Sequence, residues 1–132
     1  MGLVNLSIKD ETAGGKILNE LVVSLESELL TVKDIIEARV NAEVKSYNEK
    51  LPEIYRGLVQ PQDAELALNG YKLKVKKKVD AEKQVYIALA AFQQNGFFVL
   101  IDNQQAESLD EHVILNDATT VSFIKLTPLV GG

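Results

Sequence analysis

Side chains able to do chemistry are few in this sequence, and they are scattered. Two acid pairs, Asp10-Glu11 and Asp110-Glu111, fall in stretches that read as turns. There a solvated charge is the ordinary outcome, rather than a paired acid and base. His112 follows Glu111 and has the chemistry to titrate near neutral pH. It is the single histidine, the chain has no cysteine, and no serine stands in a nucleophile motif. A catalytic triad, a thiolate zinc site and a multi-histidine metal site are therefore excluded. Gly14-Gly15-Lys16 is followed by Ile17, whereas a phosphate loop needs Gly, four residues, then Gly-Lys-Ser/Thr. A hairpin turn is the better account. Lys72, Lys74, Lys76, Lys77, Lys78 and Lys83 form the one basic concentration. Alternating lysines on a strand keep an exposed edge from pairing; the functional alternative is a docking surface for an acidic partner.

What remains is the end of the sequence, Thr127-Pro128-Leu129-Val130-Gly131-Gly132. At an average glycine usage of about 7%, a closing Gly-Gly arises by chance in roughly one chain in two hundred. Two residues without Cβ make a thin, extended peptide. Such a peptide threads a narrow enzyme channel and presents its carboxylate to ATP without steric hindrance.

The elements that must carry this end are those of one domain. The 132 residues and 14.5 kDa fit a single unit over 1–132. A chain of this length buries roughly two-thirds of the surface its unfolded form exposes, so it needs neither metal nor disulfide. A net charge of −5 argues against a nucleic-acid partner. No basic, apolar leader opens the chain, and no apolar run approaches the ~20 residues that span a bilayer. Leu6 stands where a myristoylation signal wants Ser or Thr. A cytoplasmic protein without a membrane partner is expected.

Val4, Leu6 and Ile8 alternate with Asn5 and Ser7, the period of a half-buried strand. After the Gly14-Gly15 turn, Leu21, Val23 and Leu25 repeat that pattern, so the chain opens as a hairpin. Thr31 with Asp34 forms a helix start. Behind it, Val32, Ile35, Ile36, Val40, Val44 and Tyr47 recur at helical spacing, with Lys33, Glu37, Arg39, Glu43 and Lys45 mostly opposite, which predicts a helix over 32–48. Pro52, Pro61 and Asn69-Gly70 break up residues 49–79. Gln62 to Leu68 has the makings of a short helix, and Tyr71, Leu73 and Val75 of an amphipathic strand. Asp80 caps a second helix through Phe92, with Gly96 as its left-handed stop. Phe97 to Ile101 reads as a central strand buried on both faces. His112 to Leu115 reads as a brief strand or 3₁₀ segment. Thr119 to Leu126 is the final strand, with Val121, Phe123 and Lys125 on one face. The fold class is α+β, one mixed sheet with helices on one face and an insertion over about 49–95.

With that order and that ending, the chain resembles the ubiquitin-like β-grasp family. The closing residues are similar to the Pro-x-x-Gly-Gly ending of bacterial sulfur-carrier proteins of molybdopterin and thiamin synthesis. The likeness covers about residues 2–48 and 96–132. It implies that an E1-like adenylating enzyme activates the carboxylate of Gly132 with ATP, a cofactor of the partner enzyme, the chain itself binding none. Pro128, Leu129, Val130 and Gly131 then form the tail, and the chain supplies no catalytic side chain. The activated group passes through a thiol, with an E2-like enzyme as a further partner, to an amine on a target protein, or it accepts sulfur to become a thiocarboxylate. The extra residues 49–95 favour a protein modifier over a minimal sulfur carrier; a non-conjugated β-grasp subunit of a larger complex is the third alternative. Residues 49–79 are expected to serve self-association or partner docking and to be replaceable by a short linker.

Overall fold

The computed structural model describes residues 4–26, 29–67 and 70–126. Strand β1 (Val4–Thr12) and strand β2 (Ile17–Leu25) form the opening antiparallel hairpin. Their turn uses Gly15 at φ +93°, and the Thr12 and Gly15 amides donate to Lys16 and Thr12 carbonyls. Both strands run further into the turn than the hydropathy alternation suggests. Asp10, expected in a turn, therefore lies within β1, on the same parity as Val4, Leu6 and Ile8, and is buried.

A short strand, β3 (Leu29–Thr31), leads into helix α1 (Val32–Lys50). The capping box is as expected: Thr31 Oγ1 accepts from the Asp34 amide at 3.2 Å, and the Asp34 carboxylate accepts from the Thr31 amide at 3.0 Å. The Thr31 amide and hydroxyl, both donating to it, hold the Asp34 carboxyl below its usual range. The loop carbonyls of Leu109 and Glu111 accept from the Lys33 and Val32 amides, so the other free N–H groups of the first turn are also met. The chain leaves α1 through Leu51 at φ 45°.

Between the helices, β4 (Ala64–Ala67) pairs antiparallel with β5 (Gly70–Leu73). Residues 62–68 are thus not helical where the structure describes them. Ala64 and Ala67 face Leu73 and Gly70 across a ladder that Tyr55 extends by bridging Tyr71, and this pairing outweighs local helix propensity. Helix α2 (Ala81–Gln93) starts on Asp80, whose side chain accepts from the Lys83 amide. Asn95 at φ 61°, not Gly96, takes the left-handed position after α2. The Gly96 amide instead closes the end onto the Ala91 carbonyl at 2.8 Å.

The remaining strands are β6 (Phe97–Ile101), β7 (Gln104–Gln105), β8 (His112–Ile114) and β9 (Thr120–Lys125). Strands β1, β2, β6, β7 and β9 make one mixed sheet in the order β2-β1-β9-β6-β7. In it β9 runs parallel to β1, with Ser7 beside Thr120, and antiparallel to β6, with Phe97 beside Lys125. β3 pairs with β8 outside that sheet. One sheet face is buried through Leu6, Ile8, Val23, Val99, Val121 and Phe123, while Asn5, Ser7, Lys9, Val22 and Ser24 are exposed. Phe98 and Leu100 are only half-buried, so β6 is not covered equally on its two faces.

The α1 stripe of Val32, Ile35, Ile36, Val40, Val44 and Tyr47 is buried, as its spacing predicts. Tyr55, Leu58, Tyr71 and Leu73 from the region between the helices, with Ala88 and Phe92 of α2, belong to the same core. That region is therefore an integral wall of the domain, and its replacement by a short linker would open the core to water. Ile36 and Val99 have no exposed surface. Truncating Ile36 to Ala should cost about 2–4 kcal/mol in chemical denaturation, and Val99→Ala somewhat less. Unchanged midpoints in both would be incompatible with this packing.

Candidate functional site

The tail residues singled out by the sequence, Pro128, Leu129, Val130, Gly131 and Gly132, lie outside the described residues. The structure does describe the end of the strand that leads to them, and a buried ionic network sits there. Its centre is Arg39, which is fully buried on α1 although helical counting sets it among the polar residues. It lies four residues after Ile35 and three after Ile36, which is the core-facing line. The guanidinium grips Asp10 with both Nη atoms, Nη2 to Oδ2 at 2.6 Å, and its Nε donates to Glu43 Oε1 at 2.9 Å. Its Cζ also stands 4.8 Å from the centre of the Phe123 ring, a cation–π contact.

Glu43 carries the network into the region between the helices. Its Oε2 accepts from the Tyr55 hydroxyl at 2.7 Å and from the Leu58 amide at 3.0 Å. Tyr55 packs edge-on against Tyr47 with ring centres 5.1 Å apart. The intervening residue has to be glycine: a Cβ on Gly57 would collide with the Tyr55 ring and the Glu43 carboxylate. The Gly57 carbonyl then accepts from Lys125 Nζ at 2.8 Å, and that ammonium stands 5.3 Å from the Tyr71 ring centre.

Electrostatics follow from burial. Burial lifts the Glu43 carboxyl above its ordinary range, against the opposing pull of Arg39, Tyr55 and the Leu58 amide. Burial also works against the charge of Arg39, but Glu43 and Asp10 more than offset it, and the guanidinium is held more firmly protonated than usual. The Tyr55 hydroxyl is raised by burial and by the neighbouring Glu43 charge. Lys125 is lowered, first by burial and further by Arg39, with Asp10 and Glu43 opposing. Arg39 thus pairs with two carboxylates out of water, the arrangement in which buried charge is tolerated, while the half-buried Lys125 is held by the Gly57 carbonyl.

Every buried side-chain nitrogen and oxygen among the described residues has a hydrogen-bond partner. The network is therefore fully satisfied, an arrangement suited to holding parts together. It ties β1, α1, the 55–58 segment and the end of β9 into one rigid joint. Beside that joint is a cleft of about 260 Å³ lined by Leu58, Leu66, Tyr71, Phe97, Lys125 and Leu126. Replacing Gly57 by Ala should lower stability by about 1–3 kcal/mol through overpacking, read from the denaturant midpoint; a neutral substitution would contradict the joint.

Elsewhere the expected candidates stay apart. Glu11, one residue before the end of β1, is half-exposed, and Asp110, Glu111 and His112 are exposed. Glu111 Oε2 accepts from the Glu107 amide, a loop-closing bond. No group of three or more acidic or histidine side chains suited to a metal ion occurs among the described residues. No helix among them is long and apolar enough to cross a membrane. No protein-family model matches the chain, and no curated protein or solved structure matches it.

Proposed function

We propose that the chain is a ubiquitin-like protein modifier, and that an E1-like enzyme adenylates the carboxylate of Gly132 with ATP and passes it to an amine of a target protein. The reading requires Gly132 to be the terminal residue, either as encoded or after cleavage. The observation that carries it is the pairing of β9 beside β1, parallel to it and in the middle of the sheet. A hairpin, a helix packed on its sheet and a last strand returning beside the first support a β-grasp arrangement. A strand so placed delivers the following residues from a fixed point. The ionic joint adds to this by fastening Lys125, the last residue of β9, from the side. Fold alone serves many functions; the diglycine is what directs the reading to carboxylate activation.

Sulfur transfer uses the same activated carboxylate and is the second reading. The walls contributed by the described residues of 55–73 and by α2 enlarge the domain beyond what a minimal carrier needs, which favours the modifier. The test is ATP–pyrophosphate exchange by the cognate E1-like enzyme, with the chain ending at Gly132 as substrate. Exchange should occur with that chain, and should vanish when one residue is added beyond Gly132. Equal exchange by the extended chain would refute the proposal.

A further inference from the structure

Two surface features remain without a role, and they are complementary. The stretch from 72 to 83 holds six lysines against Asp80 and Glu82, within a chain of net charge −5. Lys74, Val75, Lys76, Lys77 and Lys78 are all exposed, with Val75 at 67%. Of these lysines, only Lys77 has an ion pair among the described residues, a 3.8 Å exposed contact with Asp63. The second feature is a cleft of about 900 Å³ between α2 and the loop after β7. Its apolar lining includes Tyr86, Leu89, Phe98 and Leu109, and its charged lining is Glu107, Asp110 and Lys33. Tyr86 is 75% exposed, and neither Glu107 nor Asp110 has an ion pair among the described residues. The cation beside them, Lys33, is drawn to Glu37 at 3.8 Å.

We propose that the basic strip of one copy of the chain docks in the acidic, apolar cleft of a second copy, with Val75 entering the cleft and Lys76 and Lys78 meeting Glu107 and Asp110. A strip cannot fill the cleft of its own molecule. It precedes the N-terminal end of α2, whereas Tyr86, Leu89, Ala90 and Gln93 line the cleft along the later part of that helix. A helix of 13 residues is about 20 Å long. The strip is also pinned at both ends. Its Lys74 amide donates to the Asp63 carbonyl, and Val79 exchanges two hydrogen bonds with the Asn48 side chain, at 2.8 and 2.9 Å. Charge complementarity therefore acts between copies. A strip and a cleft at different places on one surface make a heterologous, head-to-tail contact that adds copies without closing on a dimer. This association does not depend on the tail, so it stands or falls separately from the proposed function.

Sedimentation equilibrium of the full chain tests it. In about 20 mM salt the average mass should rise past that of a dimer as protein concentration goes from about 10 to about 500 µM, and should return to the monomer in about 500 mM salt, where exposed charges are screened. The strip variant, Lys76→Glu with Lys78→Glu, keeps a native cleft. The cleft variant, Glu107→Lys with Asp110→Lys, keeps a native strip. All four side chains are exposed, so both variants should fold, which circular dichroism checks. Each variant alone should be monomeric, because its strip and its cleft then carry like charge. An equal mixture should assemble again, because the native strip of one variant meets the native cleft of the other and the reversed strip meets the reversed cleft. A wild-type chain that stays monomeric would overturn the proposal, even if its strip then captured a polyanion such as heparin. Continued assembly of either variant, or a mixture that stays monomeric, would do the same.

Discussion

Replacing Arg39 by Ala should destabilise the domain by about 3–5 kcal/mol, the cost typical of removing one partner from a buried ion pair. Three effects add in the same direction. Asp10 loses its bidentate partner, Glu43 loses one of its donors, and the Phe123 ring loses the cation stacked on it. The remaining carboxylates would then sit buried with too little positive charge beside them, and a buried unpaired carboxylate seeks a proton. The sign of the pH dependence follows. Burial already raises Glu43 in the folded chain, so the folded state holds a proton there more tightly than the unfolded state does. Stability from this group falls as pH rises above its ordinary value of 4.5. Without Arg39 that fall should be steeper, so the deficit of Arg39→Ala relative to wild type should be smaller near pH 5 than near pH 8. Urea denaturation at the two pH values checks both claims. A loss under about 1 kcal/mol, the scale of an exposed pair, would mean that the network is solvated.

How legible this joint was in the sequence depends on distance along the chain. Local signals read directly: the Thr31–Asp34 capping box and the Gly14-Gly15 turn are complete within a few residues. The α1 stripe and the β6 run are also where hydropathy puts them. Arg39 was obscured because a charged residue on an amphipathic helix ordinarily faces water, and the partner that draws it inward is 29 residues away. Lys125 meets its carbonyl partner 68 residues away. A usable signal was nevertheless present in the parity. Asp10 continues the inward series Val4, Leu6, Ile8; Lys125 continues Val121, Phe123; Arg39 and Glu43 lie on the helical line of Ile35, Ile36 and Val40. Charged side chains on core-facing positions must find polar partners, because none is stable there alone: Arg39 finds Asp10 and Glu43, and Lys125 finds the Gly57 carbonyl. Residues 64–67 form a strand where local propensity suggests a helix, for the complementary reason. Their short sequence permits either state, and only the partner strand β5 and the bridge to Tyr55 decide it.

The second large effect is expected at Gly132. Deleting it should abolish ATP-dependent activation while leaving thermal stability unchanged, because the core and the ionic joint among the described residues are built from positions up to Lys125. A bulky side chain at position 131, as in Gly131→Trp, should slow activation strongly, since a tail with a large Cβ substituent no longer fits a channel shaped for glycine. Gly57→Ala, in contrast, should affect stability far more than activation.

The account is tested most directly by intact-mass analysis of the chain ending at Gly132 after incubation with its E1-like enzyme, ATP and a target-containing fraction. The predicted result is a covalent adduct in which the Gly132 carboxyl has lost water to a lysine amine of a target, absent without ATP and absent from the protein lacking Gly132. Exchange of one terminal oxygen for sulfur, with no adduct, would move the chain to the carriers. Adducts formed equally well by the protein lacking Gly132 would contradict the account outright.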